Sequence, residues 1–418
     1  MRLFTLLHRV SLLGAAALLL AVPCREAAAA QERVFYDLRY DVTLIPSERG
    51  ARVTVILGNG AESVEWIRFR VDDERQFDFS GDGEIVREEG TVQWFPPKAG
   101  GRLKYFFRAD HLRDERSYDA RCTRKWALFR GDDLVPQARV RTSPIAWANA
   151  RLRLRLPEGW SAALPYRKLA GGEYAIEHKH RRFDRPTGWI VAGKLGVVRE
   201  EVAETKVAVA GPAGHGLRRL DILALLRWTL PTLHEVFGDL PERLLVVGAD
   251  DPMWRGGLSG PRSVYIHADR PLMTGDGTSP LLHEVVHALM ARIPGPDADW
   301  IVEGLAEVYS VEALKRSGTI SEKRWASVKA ELEKRGRGFR GNLLDGASSG
   351  NARARAATLL YELDAELREA SDQLHSLDDV MRGLQDTREK LTTAELRATA
   401  EHLAGRELPE IFDSLTGN

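Results

Sequence analysis

The feature that most constrains the fold is a change in hydrophobic periodicity near residue 205. Before it, short segments alternate between apolar and polar residues or run apolar, and Gly, Pro and Asp turns separate them. Along Arg151 to Leu156 arginine and leucine alternate strictly, which favours a buried leucine face beneath a solvated basic face. The pattern predicts an antiparallel β-sandwich over residues 31–204. Its strands are expected at 33–45, 51–57, 63–71, 102–109, 151–156 and 189–202.

After residue 205 the spacing of apolar residues becomes mostly helical. Two short strands, 206–210 and 243–247, are expected to flank a helix over 217–237, and most of the chain after Leu281 has helical spacing. We therefore expect an α+β protein with a mostly helical second domain at residues 205–418. With 418 residues and 44% hydrophobic content, the chain has enough material for two or three domains.

The first thirty residues, 1–30, have the composition of a signal peptide. Two arginines precede an uncharged apolar run over 10–22, and the three alanines at 28–30 offer a small-residue cleavage site. The apolar run is too short to cross a bilayer, which takes roughly 20 residues. We expect a secreted or periplasmic protein with no integral membrane segment after cleavage. Pro23 fits a lipid-attachment motif poorly, so we expect no lipid anchor at Cys24.

Composition limits the partners and the stabilising chemistry of the mature chain. The sequence carries 60 basic and 60 acidic residues, and this balance gives no indication of nucleic-acid binding. After removal of the leader, Cys122 is the remaining cysteine, so we expect no intramolecular disulfide. Basic residues cluster at 333–340, where a flexible solvated loop is favoured over a polyanion-binding segment.

The segment His283–His287 has the pattern His-Glu-x-x-His. On a helix, residues four apart project from one face, so both imidazoles can bind the same ion. Glu284 lies about 100° round the helix, beside that ion, where it can act as a general base. Two histidines and one further protein ligand leave a position of tetrahedral zinc open for water, whose pKa zinc lowers to about 7. The pattern therefore predicts a catalytic Zn²⁺ site.

Capping signals predict a helix on each side of this site. Ser279 suits the N-cap and Pro280 the first turn of one helix, which ends before Pro294-Gly295-Pro296. Asp299 is the predicted cap of a second helix that runs to Arg316.

On the second helix, Glu303 and Glu307 are four residues apart and share a face. We interpret Glu303 as the third metal ligand. Glu307 is interpreted as the acceptor for the free ring N–H of a ligand histidine, which fixes the orientation of such rings. The alternative for Glu307 is a solvated helix carboxylate.

Several segments resemble the glycyl aminopeptidase family of the gluzincin clan of zinc metallopeptidases. The resemblance rests on the His-Glu-x-x-His motif with Trp300–Ala306, on Gly256-Gly257-Leu258 ahead of it, and on Ser376–Arg382 behind it. Leu156–Trp160 also resembles a segment of the family's β-domain. The resemblance covers most of residues 150–418. It implies an N-terminal β-sandwich ahead of a thermolysin-like zinc peptidase domain.

The chain departs from the family's pattern in three places. The family's Gly-Gly-Leu strand usually continues with a Glu that binds the substrate's α-amine, but Ser259-Gly260 follow here. The family's Tyr-Tyr-x-Lys-Gly element carries an oxyanion-stabilising tyrosine, and loss of one such donor typically costs ~10²- to 10³-fold in rate. Residues 352–356 stand in its place, with Arg353 and Arg355 as candidate catalytic replacements. We also expect the family's C-terminal PDZ module to be absent.

Together these observations predict a secreted zinc peptidase that acts on a peptide or protein substrate. Glu284 would be the general base, and an edge strand would hold the substrate backbone. The missing amine anchor favours an endopeptidase over an aminopeptidase. The predicted substrate strand consists of Gly256, Gly257, Leu258 and Ser259.

Two alternatives to an efficient peptidase are compatible with the sequence. One is a binding or scaffolding protein that keeps the zinc-peptidase fold with weak or no turnover, as the two missing substrate-handling groups suggest. The other is a carbohydrate-binding sandwich with a helical appendage. It would need Trp66, Trp94 and Trp126 at the surface, whereas such residues are more often sandwich core.

Overall fold

The computed structural model describes residues 33–177, 183–290, 292–385 and 390–416. The predicted signal peptide at 1–30, with Cys24, lies outside these residues. The described chain is sheet-rich in its first half and helical in its second, which confirms the α+β prediction. Within the described ranges no helix is both long enough and apolar enough to cross a membrane.

The N-terminal half consists mainly of strands joined by short turns. A one-turn helix, α1 (Gly131–Leu134), follows the tenth strand, and two 3-10 turns lie at Pro46–Glu48 and Ala61–Ser63. The strands are β1 (Val34–Ile45), β2 (Gly50–Leu57), β3 (Val64–Arg70), β4 (Gln76–Gly81), β5 (Glu84–Glu88), β6 (Thr91–Phe95), β7 (Gly101–Arg108), β8 (His111–Leu112), β9 (Tyr118–Cys122), β10 (Trp126–Arg130), β11 (Ala138–Thr142), β12 (Ala146–Arg155), β13 (Ser161–Ala163), β14 (Tyr174–Ile176) and β15 (Trp189–Gly193).

These strands form three packed sheets around an apolar core. Their orders are β14-β12-β1-β2-β7-β4, β13-β15-β10-β9-β8 and β11-β3-β6-β5. Burial alternates along β1, where Tyr36, Leu38 and Tyr40 face the core as a period-two strand requires. Most pairs are antiparallel, as predicted, but β1 and β12 run parallel. This pair is the exception, and the long chain between β1 and β12 supplies the crossover connection that parallel strands need.

A fourth sheet belongs to the C-terminal half. Its order is β16-β17-β18-β20-β19, so β19 lies at an edge. β16 was predicted as part of the sandwich, but it pairs along its whole length with β17. β16 thus belongs to the fourth sheet and not to the three sheets of the sandwich. The strands are β16 (Leu195–Val202), β17 (Thr205–Pro212), β18 (Arg243–Val247), β19 (Gly257–Gly260) and β20 (Ser263–Ile266).

Helices make up most of the remaining described chain. Helix α5 (Glu322–Gly336) includes the first part of the predicted basic loop at 333–340, so residues 333–336 are helical. The helices after α1 are α2 (Arg219–Phe237), α3 (Pro280–Met290), α4 (Asp299–Arg316), α5 (Glu322–Gly336), α6 (Asn351–Ala370), α7 (Leu377–Gln385), α8 (Thr393–Ala404) and α9 (Pro409–Asp413).

A shared apolar cluster joins the sandwich to the fourth sheet. Trp126, Leu128 and Trp189 pack in it with Val247 and Tyr265. The rings of Trp189 and Tyr265 lie 5.2 Å apart between centroids. The back of the fourth sheet is thereby fixed on the sandwich, which leaves its other face to the helices. Trp94 and Trp126 are both buried, so neither is available to a carbohydrate ligand.

Candidate metal centre and cleft

Helix α3 presents His283 and His287 from a buried position. Ser279 Oγ accepts a hydrogen bond from the Leu282 N–H at 3.3 Å, which confirms the predicted N-cap. The two imidazole rings lie 4.7 Å apart between centroids, on one face of the helix. The helix is anchored by an apolar surface consisting of Leu281, Leu282, Val285, Val286 and Leu289.

Helix α4 brings Glu303 to both histidines. The two histidine Nε2 atoms are 3.1 Å apart, and Glu303 carboxylate oxygens lie 3.4 Å from His283 Nε2 and 3.3 Å from His287 Nε2. A tetrahedral zinc with bonds of about 2.0 to 2.2 Å separates its ligand atoms by about 3.3 to 3.6 Å. Among the described residues, these three form a group of His, Cys, Asp or Glu side chains close enough to hold a metal ion. The donor types fit zinc and both carboxylate distances lie in this range, while the two imidazole nitrogens would have to move apart by about 0.2 Å around the ion.

Close packing of α4 on α6 sets the position of Glu303. The residue after Glu303 is Gly304, and a Cβ there would lie 2.8 Å from Leu360 Cδ1 and 3.1 Å from Ala356 Cβ. Position 304 therefore has no room for a side chain. The predicted Asp299 cap is wrong, because Ala298 is the N-cap and no side chain caps this end. Asp299 instead accepts a hydrogen bond from the Ser348 N–H at 2.6 Å, and this bond fixes the segment before α6.

Glu307 lies behind His283, as the spacing on α4 predicts. A Glu307 carboxylate oxygen is 3.3 Å from His283 Nδ1, on the side of the ring opposite Nε2, and Glu307 is buried. Burial alone would lower the pKa of His283, but Glu303 and Glu307 raise it to about 9. Burial alone would raise the pKa of Glu303, but His283 and His287 hold it well below its usual range. The burial of Glu307 argues against a solvated carboxylate, while its 3.3 Å distance from Nδ1 meets the ion-pair criterion without forming a hydrogen bond.

The edge strand β19 runs beside the general-base candidate Glu284. A Cβ on Gly257 would lie 2.8 Å from Glu284 Cγ, so these two residues are in contact only because residue 257 is glycine. The His267 N–H donates to the Gly256 carbonyl at 3.0 Å. Since hydrogen-bonded and non-bonded pairs alternate in an antiparallel ladder, Gly257 points its own N–H and C=O away from β20. A free backbone edge therefore lies next to Glu284.

Side chains of the sandwich hold this edge strand from behind. Trp189 Nε1 donates to the Leu258 carbonyl at 3.0 Å, and Arg130 Nη1 donates to the Ser259 carbonyl at 3.4 Å. The N–H and C=O of Ser259 point away from β20, like those of Gly257. Arg130 donates to this outward carbonyl of Ser259. The sandwich thereby contributes directly to the placement of the predicted substrate strand.

The two arginines proposed for the oxyanion contact have different surroundings. Arg353, in the first turn of α6, has Nη1 at 3.2 Å from His283 Nε2 and Nε at 3.7 Å from a Glu303 oxygen. Arg355 turns away, and its Nη1 lies 3.6 Å from a Glu362 oxygen on the same helix. Residues two apart on a helix point in different directions. The structure therefore places Arg353 at the metal centre and does not place Arg355 there.

A cavity of about 400 Å³ extends from the metal centre between β19, α3, α5 and α6. His283, Glu284, Glu307 and Arg353 lie in its wall together with residues that sequence reasoning missed. Those residues carry no motif and become neighbours only in the folded chain. They include Trp254, Arg255, Arg270, Thr274, Asp276, Leu332 and Arg335.

A solved structure shares this fold. The crystal structure of an aminopeptidase N family protein from Idiomarina loihiensis matches 91% of this chain and 76% of its own chain, with a TM-score of 0.68 and 14% sequence identity. The two folds are similar. No protein-family model matches the sequence, and the comparison with curated proteins finds no match. The β-sandwich followed by a mostly helical part is thus a fold that this chain shares with that protein, while the glycyl aminopeptidase family remains a resemblance.

Proposed function

We propose that this protein is a zinc-dependent peptidase that cleaves internal peptide bonds and also accepts peptides with a blocked N-terminus. The observation that carries the proposal is the arrangement of His283, His287 and Glu303 beside Glu284 and the free edge of Gly257. This arrangement combines an ion site, a base and a backbone-binding strand within one cleft. The predicted signal peptide supports a secreted or periplasmic location.

Each residue of the centre has a distinct role in this proposal. His283, His287 and Glu303 would hold the ion, and Glu307 would fix the ring of His283 through Nδ1. Bound zinc would polarise the scissile carbonyl and lower the pKa of a coordinated water. Glu284 would take a proton from the attacking water and deliver it to the leaving amine nitrogen.

The substrate would bind as an extra strand along β19. Gly257 offers an outward N–H and C=O, which can pair with an extended peptide as in strand addition. Its lack of a side chain lets the peptide backbone approach Glu284. The scissile bond would then lie between the base and the metal ligands.

Arg353 is the candidate partner for the oxyanion that forms on the scissile carbonyl. Its Nη1 lies 3.2 Å from a metal-ligand nitrogen, so the guanidinium reaches the side of the centre where that charge would develop. A guanidinium carries a fixed charge and several N–H donors, which suits it to stabilise an oxyanion. This residue would thus replace the tyrosine of the family's pattern.

The preference for internal bonds follows from residue 259. An aminopeptidase needs a carboxylate beside the substrate's α-ammonium, because leaving that charge unpaired in a partly desolvated cleft costs several kcal/mol. Ser259 offers only a neutral hydroxyl in the position where the family usually has Glu. We therefore expect N-acetylated peptides to be cut at least as well as free ones, and free amino-acid anilides to be poor substrates.

A kinetic comparison of one peptide with and without N-acetylation tests this function. Zinc-loaded protein is incubated with both forms, and the cleavage sites are read by mass spectrometry. We expect similar kcat/KM values and internal cuts in both peptides. A strong preference for the free amine would contradict the endopeptidase proposal. Failure to cut either peptide would favour the alternative of a zinc-peptidase-fold binding or scaffolding protein.

A further inference from the structure

Arginine dominates the charged lining of the cleft. Four arginines line it, namely Arg255, Arg270, Arg335 and Arg353, together with the carboxylates of Asp276, Glu284 and Glu307. Zinc at the centre would add further positive charge. A cleft with this balance suits an anionic substrate group better than a cationic one.

Two of the four arginines already have close partners. Arg255 forms ion pairs with Asp251 and, at 3.6 Å, with Asp269. Arg353 faces the metal ligands. Neither guanidinium is therefore the best candidate to bind an anionic group of the substrate. Arg270 is exposed and lies in the segment after β20.

Arg335 is held at the cleft wall without being saturated. Its Nη1 is 4.0 Å from an Asp276 oxygen, at the outer limit of an ion pair, and its Nη2 donates to the Gly350 carbonyl at 3.5 Å. The hydroxyls of Thr274 and Thr278 donate to Asp276 Oδ1, which leaves Oδ2 as the oxygen that faces Arg335. The guanidinium side chain is 37% exposed, so its remaining N–H groups can reach a ligand in the cleft.

The surroundings of Arg335 suit a carboxylate on a short aliphatic stem. Leu332 lies one turn earlier on α5 and lines the same cleft, and because it is only 3% exposed it offers a ligand a small apolar contact beside Arg335. Burial alone would raise the pKa of Asp276, but its threonine hydrogen bonds and Arg335 lower it. Asp276 therefore stays ionised and keeps Arg335 oriented along the wall.

We propose that Arg335 and Leu332 form a subsite that binds a carboxylate of the substrate. The carboxylate would be either a Glu or Asp side chain or the C-terminal α-carboxylate, because a guanidinium recognises both in the same bidentate way. This inference rests on the proposed peptidase function, which supplies the peptide. It adds a preference for acidic peptides that the metal centre alone does not determine.

Binding to a non-hydrolysing variant tests the subsite separately from turnover. Acetylated, fluorescent peptides are titrated with the zinc-loaded Glu284→Ala protein. Fluorescence anisotropy measures their dissociation constants. One set has an amidated C-terminus and carries Glu or Gln at each position in turn. A second pair is an all-Gln peptide with a free or an amidated C-terminus. The first set detects side-chain carboxylates, and the second detects the α-carboxylate.

We expect about tenfold tighter binding for one of the carboxylate peptides, the size of one charge-assisted hydrogen bond. Adding Arg335→Gln should reduce that affinity to the level of the neutral peptide. Arg255→Gln makes the same change in charge within the cleft, but Arg255 is already paired, so the ratio should persist. Equal binding of acidic and neutral peptides would overturn the proposal. So would an equal loss in the Arg255 variant, or a loss in Arg270→Gln instead of Arg335→Gln.

Turnover by the wild-type protein separates this proposal from the proposed function. If the wild type cuts peptides without any preference for a carboxylate, the subsite is wrong and the peptidase function stands. If the Glu284→Ala protein prefers acidic peptides but the wild type never cuts them, the subsite stands and the function is a binding one.

Discussion

The metal centre and the cleft wall are built in different ways from the same chain. The metal centre takes its side chains from two neighbouring helices, α3 and α4, and those side chains are largely buried. The cleft wall collects residues from β19, the segment before α3, α5 and α6, and several of them are exposed arginines. The proposed ion ligands are thus set by local spacing, whereas the proposed substrate contacts depend on the tertiary fold. The predictions below test how far these two regions act independently.

The largest effect is expected from Glu284→Ala. This change removes the base but none of the ion ligands, so we expect zinc content to stay at the wild-type level while the rate falls ~10²- to 10⁴-fold. Peptidase assays and metal analysis of the same preparation check both parts. Unaltered activity would mean that the observed cleavage comes from another site or from a contaminant.

Arg353→Met comes next, because Arg353 is the one oxyanion candidate that reaches the metal centre. Loss of a single oxyanion donor predicts a fall of ~10²- to 10³-fold in kcat. Arg355→Met is the matched control: it makes the same change two residues further along α6, where the side chain pairs with Glu362. Equal effects in the two variants would show that Arg353 acts through the helix and not at the centre.

A smaller effect is expected from Gly257→Ala at the boundary between the two regions. The added methyl group would lie 2.8 Å from Glu284 Cγ, so the base or the edge strand has to move. Displacement of a reacting group by about 1 Å can cost up to ~10²-fold in rate. Gly275→Ala serves as the control, because nothing lies within 4 Å of the added carbon there. If both variants keep full activity, β19 does not approach the base as described.

Glu307→Ala tests whether the metal centre depends on its buried surroundings. We expect zinc affinity to fall by ~10- to 100-fold, since His283 loses the carboxylate that faces Nδ1. Competition with a zinc chelator measures the affinity, and thermal unfolding of the zinc-free protein verifies that the domain still folds. An unchanged zinc affinity would mean that Glu307 contributes to the packing of α4 and does not support the metal site.

The grouping of His283, His287 and Glu303 could be anticipated from the sequence because its determinants are local. The four-residue spacings of His283 with His287 and of Glu303 with Glu307 define helix faces, and Ser279 caps α3 as expected. The Asp299 cap failed for a tertiary reason, because that carboxylate is drawn to the backbone of Ser348.

The cleft wall shows where sequence patterns give too little information. Arg335 was interpreted as part of a solvated loop, since nothing in its own segment reveals that α5 places it against Asp276 and Gly350. Arg353 and Arg355 could not be separated either, because the choice depends on how α6 packs against α4. Similarly, β16 was grouped with the sandwich strands, because nothing in its own segment reveals that it pairs with β17.

Two imidazoles and one carboxylate are proposed to form a zinc site in this fold. Metal analysis of purified wild-type protein beside His287→Ala tests it most directly. We expect about one zinc ion per wild-type chain, because three such ligands make a complete catalytic site, and a much lower content in the variant. Circular dichroism of both proteins verifies that they are folded. Equal zinc in the two folded proteins, or no zinc in the wild type after incubation with the metal, would contradict the account.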